Sequence, residues 1–242
     1  MMRIAMLISG GGTTMQAIIR ACRNGILTDK VEPALVIASK SEAGGLQKAL
    51  TEGVPKRDIL VIAKRDYPDE LAFGGAILNA CQERKIDFIG QYGWMVKTPP
   101  NVIKAFSGMM VNQHPGPLDP GRPDFGGQGM FGLRVHCARL LFVRLTRCAQ
   151  TTEATAQRVA IDYDKGALLH LREVDINVLK DTPESIQQRL LPREHEVQIE
   201  TLKMFGDGHG QEIQRAAPLI RSGEEKILEY VKQKAAKLYP NG

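Results

Sequence analysis

The chain has 242 residues, 43% hydrophobic and 24% charged, which suits one large soluble α/β domain or a domain with a short appendage, and its apolar runs fall far short of the roughly 20 residues that span a bilayer. A net charge of +5 invites a nucleic-acid reading, yet Lys and Arg are dispersed and only 5% of residues are aromatic, without the dense basic runs or stacking strands that such binding uses. The positive excess suits polyanionic small molecules instead.

No signal peptide is read at the N-terminus, because Arg3 is followed by only five apolar residues before Ser9 and the glycines, so the cytoplasm is the expected compartment. Cys22, Cys81, Cys137 and Cys148 lack Cys-x-x-Cys spacing and are expected to be reduced thiols. The five histidines also lack metal-ligand spacing, so no metal is expected, and His136 and His195 read as structural histidines with satisfied ring nitrogens.

In chain order, residues 3–8 read as a short buried strand, followed by Ser9-Gly10-Gly11-Gly12-Thr13-Thr14 and by a helical spacing of Met15, Ile18, Ile19 and Cys22. A glycine loop between strand and helix lets backbone N–H groups approach an anion, and the helix N-terminus adds positive potential. The loop lacks the nucleoside-triphosphate pattern Gly-x-x-x-x-Gly-Lys-Ser/Thr, and position 15 is Met rather than the last glycine of a dinucleotide fingerprint. A small phosphoester therefore fits better than a nucleotide. The alternative is a glycine turn without a ligand.

The rhythm continues with a strand at 31–39, a helix at 46–52, a strand at 59–62, an amphipathic helix at 68–84 and a strand at 88–92. Such alternation implies a parallel sheet with helices on both faces and ligands beyond the carboxyl ends of the strands. A fifth strand ends in Asn112-Gln113-His114, before the turn Pro115-Gly116-Pro117. Residues two apart on a strand share a face, so Asn112 and His114 can converge on one atom where an oxyanion develops. On this fragment alone they can equally cap a strand and satisfy a turn.

Beyond the turn, the stretch to Gly132 holds five glycines and two further prolines from Leu118 onward, which reads as a long ordered loop or lid. Residues 131–145 have helical spacing. Asp162-Tyr163-Asp164-Lys165-Gly166 reads as a hairpin tip between the apolar runs 159–161 and 167–169, a routine place for solvated carboxylates. Residues 219–238 form an amphipathic helix with apolar positions Ile227, Leu228, Val231 and Ala235, after a Gly-rich break at 206–210. That helix could pack on its own domain or on a second subunit, so a homodimer stays open.

Taken together, Ile8 to Ile18, Gly93-Trp94-Met95, Asn112-Gln113-His114-Pro115, Asp162 to Gly166 and Arg193-Glu194-His195 resemble the formyltransferase family that uses 10-formyltetrahydrofolate, most closely its phosphoribosylglycinamide branch. The motifs follow the family's order across roughly residues 2–205. The resemblance implies a Rossmann-like, mostly parallel sheet with helices on both faces, in a catalytic domain at 1–205, followed by a linker and C-terminal helix at 206–242. It implies Asn112, His114 and Asp164 as the catalytic trio, Gly11, Gly12, Thr13 and Thr14 as the phosphate loop, and Glu194 on the substrate ribose. Trp94, Met95, Val96, Lys97 and Thr98, with Asp162 and Tyr163, would wall the folate pocket. The implied partners are small molecules: the folate as formyl donor and a phosphorylated amine as acceptor.

The chemistry asks for these groups in its own right. Formyl transfer to an amine passes through a tetrahedral oxyanion that Asn112 and a protonated His114 would stabilise, while Asp164, directly or through one water, would receive the amine's proton. Four departures from the family pattern stand out. Thr155-Ala156-Gln157 replaces the usual Ser-Val-His, putting a neutral amide where an imidazole is expected at the substrate end; Val96-Lys97-Thr98 follows Met95 in place of Arg and aliphatics. Pro115-Gly116-Pro117 opens a longer loop, and the segment 125–152 is expanded and basic, with Arg134, Arg139, Arg144 and Arg147. These leave open another acceptor such as an amino sugar. A formyltetrahydrofolate hydrolase is disfavoured because its usual N-terminal regulatory domain has no room before Ile8, and a non-catalytic folate or phosphometabolite binder has no need of the trio.

Overall fold

Strands dense in buried aliphatics must be covered on both faces, and β1 (Met2–Ile8) meets that demand, with Ile4 to Ile8 all fully buried. A computed structural model describes residues 1–242 and resolves two compact units, Met1–Gln113 with Gln198–Gln211, and His114–Val197 with Glu212–Gly242.

In the first unit β1 is flanked by β2 (Val31–Ala38) and β4 (Phe88–Gln91), with β3 (Ile59–Val61) beyond β2 and β5 (Met110–His114) beyond β4, all parallel. The last residue of β5 passes into the second unit. The chain runs outward from β1 to β3 and then returns to the other side of β1, so a topological switch point lies between β1 and β4. Pro33 cannot donate to a ladder, and the register of β1 against β2 shifts beside it, between Ile4 and Ala5. Around the strands lie α1 (Thr13–Asn24), α2 (Gly45–Thr51), α3 (Glu70–Glu83) and α4 (Pro100–Ala105). Helix α3 starts two residues later than its periodicity suggests, because Asp69 caps it by accepting from the Ala72 N–H.

The second unit holds the loop that follows β5, helix α5 (Leu133–Thr146), the antiparallel pair β6 (Thr151–Arg158) and β7 (Leu168–Asp175), the first part of α6 (Pro183–Gly206), and α7 (Glu225–Leu238). The hairpin is wider than its apolar runs suggest: the paired register ends at Gln157 and Leu168, Arg158 N–H makes one more bond to Ala167 O, and Asp164 sits in the left-handed region at φ 57°. Residues 159–161 therefore belong to the connection, not to a strand. Helix α6 is absent from the periodicity reading, although Thr182 and Ser185 cap it reciprocally and Pro183 occupies its first turn.

Helix α7 packs its stripe of Leu228, Val231 and Ala235 against α5 residues such as Val135, Ala138 and Phe142. The stripe that raised the question of a second subunit is thus used within the chain. The glycine-rich loop is no loose lid: Leu118, Asp119, Asp124 and Phe125 are buried. Asp124 accepts from the Asp119 and Gly126 N–H groups, and Phe125 meets Phe142 edge-on at 5.4 Å. Three of the four arginines of the basic segment are spent on carbonyl groups. Arg134 donates to Gly129 and Tyr239, Arg139 to Ala149 and Thr151, and Arg144 to Val178 and Asp181. No helix is long and apolar enough to cross a membrane.

Candidate active site

In the first unit two loops leave the switch point side by side. Tyr92 N–H donates to Leu7 O, Ser9 N–H donates to Gly93 O, and the Ser9 hydroxyl accepts from Met95 N–H at 2.9 Å and from Ser39 Oγ at 2.7 Å. This stitching puts Gly10 to Thr14 next to Trp94 to Thr98. Gly12 precedes α1 with φ 66°, and a side chain there would begin 2.7 Å from Gly45 Cα, so only glycine fits. Helix α1 begins with no side-chain cap, which leaves its first-turn N–H groups facing the loop. Gly11 is exposed, and a side chain added there would meet nothing closer than Lys48 Nζ at 3.9 Å. That ammonium, on α2, is a cation beside the loop that the motif reading did not single out.

Of the neighbouring loop, Trp94 and Thr98 are buried, Thr98 accepting from Gln91 Nε2 at 2.6 Å, whereas Met95 and Lys97 are exposed and Val96 half-buried. Asn112 is half-buried on β5, in register with Gln91 of β4.

The second unit brings His114 and Asp164 together. His114 Nδ1 lies 3.6 Å from Asp164 Oδ2, with the side chains 3% and 9% exposed. That separation is an ion-pair distance rather than a hydrogen bond. The carboxylate is held independently of the imidazole: Gln157 Nε2 donates to Oδ1 at 2.7 Å and Gly127 N–H to Oδ2 at 2.9 Å. Gln157, read from its motif as an amide at the substrate end, is thus committed to Asp164. No sequence signal short of the fold links them, because the contact forms across the widened hairpin. His114 Nε2 is buried without a partner.

His136 departs from its expected satisfaction. Both its ring nitrogens are buried and unpartnered, and burial, with His114 nearby, pushes its imidazole down to about 4. It is therefore neutral at physiological pH. Asp162 and Tyr163 are exposed on the turn, and Glu194 is buried on α6. All four cysteines are free, and burial pushes the Cys22 and Cys81 thiols up to about 12.

A family model described as formyl transferase matches residues 2–202. The chain belongs to the formyl transferase family. Among curated relatives, the chloroplastic phosphoribosylglycinamide formyltransferase of Arabidopsis thaliana is 28% identical over 91% of this chain and 70% of its own length. The Vigna unguiculata protein of the same name is 30% identical over 92% of this chain and 66% of its own length. Among solved structures, glycinamide ribonucleotide transformylase 1 from Symbiobacterium toebii superposes with a TM-score of 0.73 at 29% identity, covering 86% of this chain and 89% of that one. The family match stops short of the segment Glu212–Gly242, which carries α7.

Proposed function

We propose that the protein transfers a formyl group from 10-formyltetrahydrofolate to the primary amine of phosphoribosylglycinamide, a step of purine biosynthesis. The observation that carries the reading is the buried pairing of His114 with Asp164 at the end of β5, in a chain whose relatives bear that enzyme's name. Asn112, two residues before His114, projects from the same face of β5, so both can donate to the formyl oxygen as its charge grows. Asp164, its oxygens fixed by Gln157 and Gly127, receives the proton that the attacking amine sheds, directly or through one water.

Gly11, Gly12, Thr13 and Thr14 would hold the acceptor's phosphate with backbone N–H groups at the start of α1, beside the Lys48 ammonium. The buried carboxylate of Glu194 would take the ribose hydroxyls. Met95, Val96 and Lys97, carried on a loop that Ser9 anchors, would line the folate with Asp162 and Tyr163, while Trp94 and Thr98 support the loop from within. The bound folate supplies the activated formyl carbon. Two of the departures that suggested another acceptor involve side chains with internal partners: Gln157 braces Asp164, and Arg134, Arg139 and Arg144 of the basic segment bond carbonyls of their own unit.

Gly11→Val tests the phosphate loop. A Cβ at Gly11 would meet nothing closer than Lys48 Nζ at 3.9 Å, so the fold is expected to tolerate the side chain while it covers the loop. The KM for phosphoribosylglycinamide is expected to rise on the order of tenfold or more while that for the folate stays near wild type, since only one end of the site is blocked. Equal changes in both KM values would remove the assignment.

A further inference from the structure

The segment beyond the family match reaches the catalytic carboxylate through a single peptide unit. Lys232 of α7 donates from Nζ to Gly126 O at 2.8 Å, and the N–H on the other side of that peptide bond, Gly127, donates to Asp164 Oδ2 at 2.9 Å. The peptide is locked in place. Gly126 N–H donates to the buried Asp124 at 3.0 Å, and a side chain on Gly126 would begin 2.5 Å from Leu118 Cδ2 and 2.6 Å from Asp164 Cβ.

We propose that Lys232 is a positioning residue for Asp164: its ammonium holds and polarises the Gly126–Gly127 peptide, and that peptide aims the carboxylate at His114. A cation on a carbonyl draws electron density along the amide and makes its N–H the stronger donor, an effect enlarged where water is scarce. Lys232 is half-buried, and burial lowers its ammonium from the ordinary lysine value, while Asp124 opposes the shift. The other charges around it are Lys165, which lies 3.7 Å from Asp124, Glu229 on α7 itself, and Asp164. The contact spans 106 residues and belongs to a helix whose apolar stripe already fixes it on α5. The lysine is therefore free to serve the site rather than the packing.

The catalytic meaning of this bridge rests on the proposed formyl transfer, so the test has one readout that needs no activity. In the full-length protein, Lys232→Met keeps the aliphatic stem and removes the charge, Lys232→Arg restores a cation, and thermal melting tracks the fold of both. The Gly127 amide proton, followed by ¹H–¹⁵N NMR, is expected to move upfield in the Met variant and to return most of the way in the Arg variant. In the same variants kcat is expected to fall and recover, by about tenfold and within the roughly 10²-fold that a slight misplacement can cost, with both KM values little changed. An unmoved Gly127 amide in Lys232→Met would overturn the bridge. A moved amide with unchanged kcat would overturn its role in positioning. A wild-type chain that fails to formylate phosphoribosylglycinamide would defeat the proposed function instead, and the amide shift would then decide the bridge alone.

Discussion

Replacing His114 by alanine is expected to lower kcat by about 10²–10³-fold, the usual cost of removing one donor that faces a developing oxyanion. The imidazole is 3% exposed, its Nδ1 faces Asp164, and its Nε2 has no protein partner to satisfy. Its loss therefore takes away little internal bonding, and the carboxylate keeps both Gln157 and Gly127. Asp164→Asn should cause a comparable loss by a different route, because a neutral amide neither accepts the amine's proton nor pairs with a protonated His114. The measurement is steady-state kinetics alongside far-UV circular dichroism, with native-like melting expected for both variants. Full turnover in either one would remove the assigned roles.

The second large effect is on stability. Glu153 of β6 and Arg215 form a two-pronged ion pair, Nη1 to Oε1 at 3.0 Å with Nη2 to Oε2 beside it, and the side chains are 4% and 14% exposed. Arg215 also donates from Nε to Leu118 O, while its own carbonyl accepts from Arg122. Removing the guanidinium leaves Glu153 charged and buried, which typically costs about 3–5 kcal/mol. Arg215→Ala is accordingly expected to lower the free energy of unfolding in urea by about that amount. Replacing both partners by apolar residues, Arg215→Met with Glu153→Leu, should recover most of the loss, because no uncompensated charge remains. A single-variant loss below about 1 kcal/mol, the value of an ordinary surface pair, would contradict the buried-pair account.

The features that were legible in the amino-acid order are those set by local periodicity. The parallel strands of the first unit announce themselves as short apolar runs, and α1 by Met15, Ile18 and Ile19, all of which are buried. The glycine loop and the Asn112–His114 pair could be picked out as candidates because they lie at element ends, although each fragment alone also reads as an ordinary turn. What stayed hidden depends on approach in space. Asp119 and Asp124 look like ordinary loop acids, yet each is 2% exposed and holds backbone N–H groups, Asp119 taking Leu219 N–H from 100 residues away. The basic residues of α5 read as a departure from the family pattern, but in the fold their planar forks meet carbonyl groups. Gln157 reads as a departure at the substrate end until the widened hairpin carries its amide onto Asp164. Helix α6 escaped because Pro192 interrupts its pattern, although the Thr182-Pro183 start was there to be read.

The central claim is that the formyl carbon passes to an amine at His114 and Asp164, and isotope transfer tests it most directly. The protein would be incubated with 10-formyltetrahydrofolate carrying ¹³C in the formyl group, together with phosphoribosylglycinamide, and the products followed by ¹³C NMR and mass spectrometry. The label is expected to appear as the N-formyl carbon of the acceptor at the rate at which the donor is consumed, and His114→Ala is expected to slow both together by about 10²–10³-fold. Label recovered as free formate, or retained on the folate while the acceptor stays unmodified, would contradict it.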